Sequence, residues 1–402
     1  KYACPTTWTP VPYKQRHIDK AWGPDPDRVL RRSAKLEFTV YNNAGGKGAI
    51  CFDQLTFQPL PVDDGAPLTG KASATVAFPA GTPTMAVDGR RETAWSADLH
   101  GDTDPQLTLD LGKVREFGGL VLRWKSGQHA SDYLVQLSDD GMRWRDVRTV
   151  VGGNGGNDYL ALPESEARYV RVNVGDGPGR SFSLAELEVK PLAFAAHPHD
   201  LIKAMAAESP KGWFPRGFSG EQPYWTIVGL DGGREQGLIG EDGAIEIAKG
   251  GISVEPFVQV DGRWIGWADV QATQSLQDGY LPIPTVAWKH AAFALSTTAF
   301  AAGRPGDSRV VARHRLTNTG VAPRDYVLAL AVQPWQVNPP SQFLNTTGGF
   351  SPVNALVLRD GVATVNGRDS VRFAPPDAGL ASRVDEGVVG VRPAAVGAGG
   401  GQ

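Results

Sequence analysis

The stretch "VDGRRETAWSADLHGDTDPQLTLDLG" (87–112) joins an Asp-Gly turn, a Thr-x-Trp and a strict apolar/polar alternation. Leu107, Leu109 and Leu111 alternate with Thr108 and Asp110, the period of two that buries one face of a strand. The same period returns in "GLVLRWK" (119–125), "YLVQLS" (133–138), "RYVRVNV" (168–174) and "AELEVK" (185–190), each bounded by Gly, Asp, Asn or Pro. Short strands at this spacing, with no helical period between them, predict one antiparallel sandwich over 66–192.

Ahead of the alternating strand, Asp88 and Thr93 offer oxygen ligands on a loop tightened by Gly89, the chemistry calcium prefers. From spacing alone a second reading stands beside this one, in which Asp88 caps an Asx-turn and Trp95 fills the end of the sandwich.

The ordered blocks Asp88-Gly89, Thr93-x-Trp95, "LDLG" (109–112), "YLVQLSDDGMRW" (133–144), "RYVRV" (168–172) and "LAELEV" (184–189) resemble a discoidin, or coagulation factor 5/8 type C, domain. Bacterial members of that kind are largely family 32 carbohydrate-binding modules. The resemblance implies a jelly-roll sandwich with a structural calcium held by the Ala86 carbonyl, Asp88, Thr93 and Glu186, and a sugar site on loops at one end. Candidate loops are 97–104, 125–131, 152–158 and 175–181, and the candidate side chains are His100, Arg123, Trp124, His129, Asn157 and Arg180. Sugar preference does not carry over, because "RWKSGQ" stands where the family has Tyr-x-Pro-Arg.

The 402 residues are too many for one ordinary domain, and 41% hydrophobic with 21% charged is globular composition. A net charge of −3 without a basic stripe argues against nucleic acid. The longest apolar runs, such as "YVLALAV" (326–332), fall short of a bilayer span, so no membrane insertion is expected. Cys4 and Cys51 allow either one disulfide or two free thiols. Residues 1–60 read as the C-terminal strands of a truncated jelly-roll module, with "RSAKLEFTVYNN" (32–43) and "GAICFDQLTFQPLP" (48–61) as its last strands and a linker after them.

Beyond 196, Leu201, Ile202, Met205 and Ala206 share one face of a short helix ended by Pro210. His197 and His199 read as linker residues rather than the start of a metal site. Long β-rich runs come next, with hairpin signals at "EDG" and "VDGRW". The run 308–334 resembles the β-supersandwich that precedes (α/α)6 barrels in glycoside hydrolases and phosphorylases, so 196–390 is expected to be such a sandwich and 391–402 a flexible tail. The resemblance implies covalent continuity with a C-terminal helical-barrel domain outside this chain. No Gly-x-Ser-x-Gly, Walker loop or His-Glu-x-x-His is present, and the many carboxylates of 221–278, Glu221, Glu241 and Glu255 among them, are expected mostly in solvated Gly-flanked turns.

The fold class expected is therefore mainly β, as several antiparallel sandwiches. The function expected is the glycan-binding and scaffold portion of a periplasmic, secreted or cell-surface protein, with no catalytic residue of its own. Two other classes stay open: an adhesion protein that uses the discoidin domain, and a glycoside hydrolase working through carboxylates beyond 196.

Overall fold

The computed structural model describes residues 7–9, 11, 13–14, 49–57, 59–61, 63–98, 105–340, 348–374 and 379. The chain divides into two units, Lys1–Leu60 and Pro61–Gln402. In the first unit, the strand expected over 32–43 and Cys4 lie outside the described residues. The strand expected to begin at 48 does not form over 49–57, and Phe52, Leu55 and Phe57 are exposed. The local reason is Gln54, whose φ of 52° turns the chain out of the extended region, with its N–H donated to Asp53 Oδ1 at 2.8 Å.

The second unit opens with the sandwich expected from the alternating leucines. Its strands are β1 (Lys71–Ala74), β2 (Trp95–Asp98), β3 (Gln106–Trp124), β4 (Asp132–Ser138), β5 (Arg145–Val150), β6 (Asn157–Asp176) and β7 (Ser181–Lys190). They form one seven-stranded antiparallel sheet in the order β2-β7-β3-β6-β4-β5, with β1 on β3. The sheet folds into two layers because β3 and β6 each serve in both. Gln106 to Asp110 pair with Asn173 to Tyr169 of β6, the register shifts after Asp110, and Gly119 to Arg123 then pair with both β6 and β7. Gly112, at φ 82°, lies in that shift. Trp95, Leu107, Leu109, Phe117, Leu122, Val172, Phe182 and Leu184 fill the space between the layers.

A short helix, α1 (Pro198–Glu208), links this sandwich to the next. Its first turn is capped reciprocally: His197 Nδ1 accepts from His199 N–H, and Asp200 accepts from His197 N–H. The two histidines therefore cap a helix, and His199 also stacks on Phe218 at 5.9 Å.

The second sandwich faces a six-stranded sheet against a four-stranded one. The first contains β8 (Trp225–Gly229), β9 (Gln236–Gly240), β10 (Ile245–Glu246), β11 (Ser253–Val260), β12 (Arg263–Ile265) and β17 (Tyr326–Gln333); the second contains β13 (Gln271–Gln277), β14 (Leu281–Lys289), β15 (Phe293–Arg304) and β16 (Asp307–Asn318). Val258, Val260, Trp288, Phe293 and Leu295 meet between them. Both hairpin signals hold. Asp261 and Gly262 turn β11 into β12 with φ of 52° and 76°, the doubly positive pair that a two-residue hairpin requires. Three short strands, β18 (Leu356–Arg359), β19 (Val362–Val365) and β20 (Asp369–Arg372), form a separate small sheet.

The two sandwiches share a third apolar cluster. Val121 and Tyr159, on the outer face of β3 and β6, pack with Phe194, Ile202, Met205, Phe214, Phe218 and Trp335. The discoidin-like sandwich is thereby seated on α1 and on the segment 214–218 that leads into the second sandwich.

Candidate functional site

The loop between β1 and β2 carries the residues expected to hold calcium. A helical turn, Pro83–Ala86, ends on buried Ala86, and Gly89 at φ 76° completes an Asx-turn in which Arg90 N–H donates to Asp88 Oδ1 at 2.9 Å. Thr93 Oγ1 lies 3.0 and 2.9 Å from the two Asp88 oxygens, 2.9 Å from the Arg90 carbonyl and 3.5 Å from the Met85 carbonyl. From the far side Glu186 of β7, 5% exposed, accepts the same Arg90 N–H at 2.7 Å. The fold thus brings Asp88, Thr93 and Glu186 together from positions far apart in sequence.

The electrostatics of this cluster are unbalanced. Burial raises the Glu186 carboxyl, the neighbouring Asp88 and Glu188 carboxylates add to the rise, and the Arg90 N–H opposes it. Asp88 is desolvated too, but the bonds from Thr93 and Arg90 outweigh that and hold it below its ordinary value. Two facing carboxylates with a hydroxyl and carbonyl oxygens form an all-oxygen donor set that fits a hard cation. Among the described residues no three acidic, His or Cys side chains converge, so a cation here would depend on Thr93 and the carbonyls as well.

Beside the cluster, and sharing Met85 and Thr93 with it, lies an open cleft of about 680 Å³. Ser96 Oγ and Ser183 Oγ meet in it at 2.8 Å, and Glu92, Lys125, Ser126 and Gln128 complete its polar wall. Backbone bonds fix its shape: Lys125 N–H donates to the Ser183 carbonyl and Ser183 N–H to the Gln128 carbonyl, both at 2.9 Å. Lys125 Nζ ties down the β1–β2 loop through the Arg91 and Glu92 carbonyls at 2.5 and 2.9 Å. The expected loop 125–131 supplies Lys125, Ser126 and Gln128, although none of these is among the candidate side chains, and sequence reasoning missed Ser96 and Ser183. Strand alternation places Ser183, and only the fold sets it against Ser96.

The six expected sugar-contacting side chains are dispersed. His100 lies outside the described residues. Trp124 is in the core at 6% exposure, its Nε1–H donated to Asp158 Oδ2 at 2.7 Å. Arg123, its neighbour on the opposite face of β3, is 4% exposed and engaged by Glu188 and Glu208. Asn157, at the start of β6, is paired across from Arg123 at the junction with α1. His129 is half-buried against Gly155, where any Cβ would come within 2.6 Å of its ring, and that burial lowers its affinity for a proton. Arg180 is exposed in the β6–β7 turn. The expected set therefore does not form one site.

An antiparallel jelly-roll-like sandwich with an oxygen-lined loop and a polar cleft at the same end defines a class of β-sandwich modules. Residues 69–187 match the F5/8 type C domain, and this segment is accordingly a discoidin domain. None of the curated proteins compared matches the chain. Similar solved structures include chitosan-binding module 1 from a chitosanase/glucanase of Paenibacillus sp. IK-5, 29% identical over 30% of this chain and 95% of that one, with a TM-score of 0.29. They also include CpGH89CBM32-5 from Clostridium perfringens, solved with GalNAc-β-1,3-galactose, 25% identical over 31% and 99% with a TM-score of 0.29.

The second sandwich corrects one expectation. Glu246 and Glu255 are not in solvated turns but on strands, at 1% and 5% exposure, and burial raises both carboxyls. The reading failed because β11 is covered on both faces, so Glu255 sits on what looked like a solvent face.

Proposed function

We propose that the chain is the carbohydrate-binding and scaffold portion of a multimodular, extracytoplasmic glycan-active protein, and that it is not itself catalytic. The observation that carries this reading is the open polar cleft at the loop end of an F5/8 type C sandwich. Its hydroxyls, amide and charged groups suit the hydroxyls of a sugar, and its floor is held rigid by main-chain bonds. Among the described residues no aromatic side chain lines it, so recognition by them rests on hydrogen bonds that each net about 0.5–1.5 kcal/mol. Affinity should be micromolar to millimolar, about −8 to −4 kcal/mol.

Glu92 and Gln128 are exposed on the rim, so their loss should spare the fold. The double variant Glu92→Ala with Gln128→Ala should weaken glycan binding by about five- to a hundredfold, as expected for two such bonds, with an unchanged melting temperature. Glycan-array titration of the full chain checks this, and undiminished binding by the double variant would place the sugar elsewhere. Reducing-sugar release measured on the same samples should stay at background.

Calcium is proposed as a structural brace for the cleft, held by Asp88, Thr93 and Glu186 with the Ala86 carbonyl completing the set. A cation that binds only the folded state stabilises it by about 2.7 kcal/mol at a hundred times its Kd. Chelator should therefore lower the melting temperature of the discoidin transition by several degrees, and Asp88→Ala should remove that sensitivity. A wild-type melting curve indifferent to chelator would dispose of the brace.

A further inference from the structure

The outer face of β11 carries Glu255 into a small, partly open pocket beneath residues 215–224. The pocket is about 20 Å³, room for one water, and is walled by Arg216, Phe218, Tyr224, Glu241, Asp242, Gln336, Pro339 and others. Glu255 Oε1 accepts from Ser253 Oγ at 3.0 Å, and no cation pairs with it among the described residues. Asp242, in the turn between β9 and β10, is half-buried and lines the pocket; its Oδ1 accepts from Ala244 N–H at 3.2 Å. Arg216 is the one basic side chain among the described residues lining the pocket, and it hydrogen-bonds to Glu221 rather than to Asp242 or Glu255. Its Nη1 pairs with Glu221 at 2.6 Å, its Nε stands 3.5 Å from Glu241, and its guanidinium lies 4.1 Å over the Trp267 ring. Lys211 pairs with Glu221 at 2.5 Å.

Three carboxyl groups thus line one small cavity; Glu241 has Arg216 beside it, whereas Asp242 and Glu255 form no ion pair among the described residues. We propose that residues 215–224 form a pH-sensitive strap, shut while the Asp242 and Glu255 pair holds a proton and loosened when that proton leaves. Burial and the Asp242 charge push the Glu255 carboxyl up to about 8, against the Ser253 bond, and burial raises Asp242 as well despite the field of Arg216. The direction is set by the sign of the shift. A carboxyl raised in the folded state stabilises closure below its unfolded value of 4.5, and this contribution is lost as pH rises through about 8. Glu241, beside Arg216, and Tyr224 are the other titratable groups of the pocket wall besides Arg216 itself. Glu246, which accepts Asn338 N–H at 3.0 Å, is the titratable group behind residues 336–340.

The strap reaches beyond its own pocket. Phe218, at its middle, stacks on Trp335 at 5.8 Å and on His199 of α1, inside the cluster that seats the discoidin domain. Loosening the strap would therefore loosen the seat.

Hydrogen exchange of the full chain, corrected for intrinsic rates, tests this on peptides spanning 215–224. Between about pH 6.5 and about pH 8, wild-type uptake should rise at least tenfold and then level off, since each pH unit between the open-state and closed-state values favours opening about tenfold. Glu255→Gln should keep the strap protected throughout, and Asp242→Asn, which removes the repelling neighbour, should shift the rise to lower pH. A flat wild-type profile, or the same rise in Glu255→Gln, would overturn the proposal. Calcium abolishing the wild-type rise would also overturn it, because a cation rather than a proton would then neutralise the pair.

Discussion

Glu208→Gln should lower the stability of the full chain by about 3 kcal/mol and split its unfolding into separate transitions for the two sandwiches. Arg123 is the reason. Its guanidinium leaves the outer face of β3 at 4% exposure and meets Glu208, the last residue of α1, in a fork: Nη1 to Oε2 at 2.6 Å and Nη2 to Oε1 at 3.0 Å. Its Nε donates to Glu188, whose other oxygen accepts from Lys190. The network crosses from the discoidin sandwich to the linking helix, beside the apolar contacts of Tyr159 and Val121 with Met205 and Ile202. Neutralising Glu208 strands a buried cation on one remaining carboxylate, whereas Arg123→Met removes the buried charge and leaves carboxylates about 29% exposed that water can reach. The methionine variant should therefore lose less. An equal or larger loss would show that the fork itself, and not the desolvated charge, sets the energy.

The same network predicts how the seam responds to acid. The bond from Arg123 holds the Glu208 carboxyl below its ordinary 4.5 in spite of burial. Glu188 bears the larger desolvation and is still lowered, by Arg123 and Lys190. A depressed carboxyl contributes stability that is present above its unfolded value and disappears as pH falls through the folded one. The inter-sandwich coupling of the wild type should thus weaken below about pH 4.5, and that of Glu208→Gln should respond less.

Periodicity set how much of the fold could be read in the sequence. Leu107, Leu109 and Leu111 announced β3, and Asp261-Gly262 announced its hairpin, because alternation and doubly positive φ leave direct marks on residue choice. The cation cluster was legible only through a resemblance, since Glu186 comes near Asp88 by strand pairing alone. The cleft was not legible: Ser96 and Ser183 are ordinary small strand residues until β2 lies against β7. Arg123 and Asn157 misled for the opposite reason. A charged or amide side chain at a strand end reads as solvent-facing, and nothing local shows that α1 will cover it.

Trp124 makes the same point with the largest energy. As the last residue of β3 it looks like a platform for a sugar ring, and on that reading Trp124→Ala would remove binding and leave the fold intact. The structure reverses the expectation. The indole is packed among core side chains, tilted on Tyr133 at 5.6 Å and edge-on to Phe182 at 6.1 Å. Its Nε1–H and the Tyr133 hydroxyl both donate to Asp158 Oδ2, at 2.7 and 2.6 Å, in a site with no exposure. Trp124→Ala would open a cavity and leave the buried Asp158 with one donor fewer, so the cost should reach about 3–5 kcal/mol for truncation alone, plus about 1–3 kcal/mol for the weakened carboxylate. That is a large share of a domain's stability. Denaturant titration should show the discoidin transition displaced or lost, with any fall in glycan retention tracking the unfolded fraction. A variant that stays fully folded yet no longer binds would return Trp124 to the ligand and overturn its place in the core.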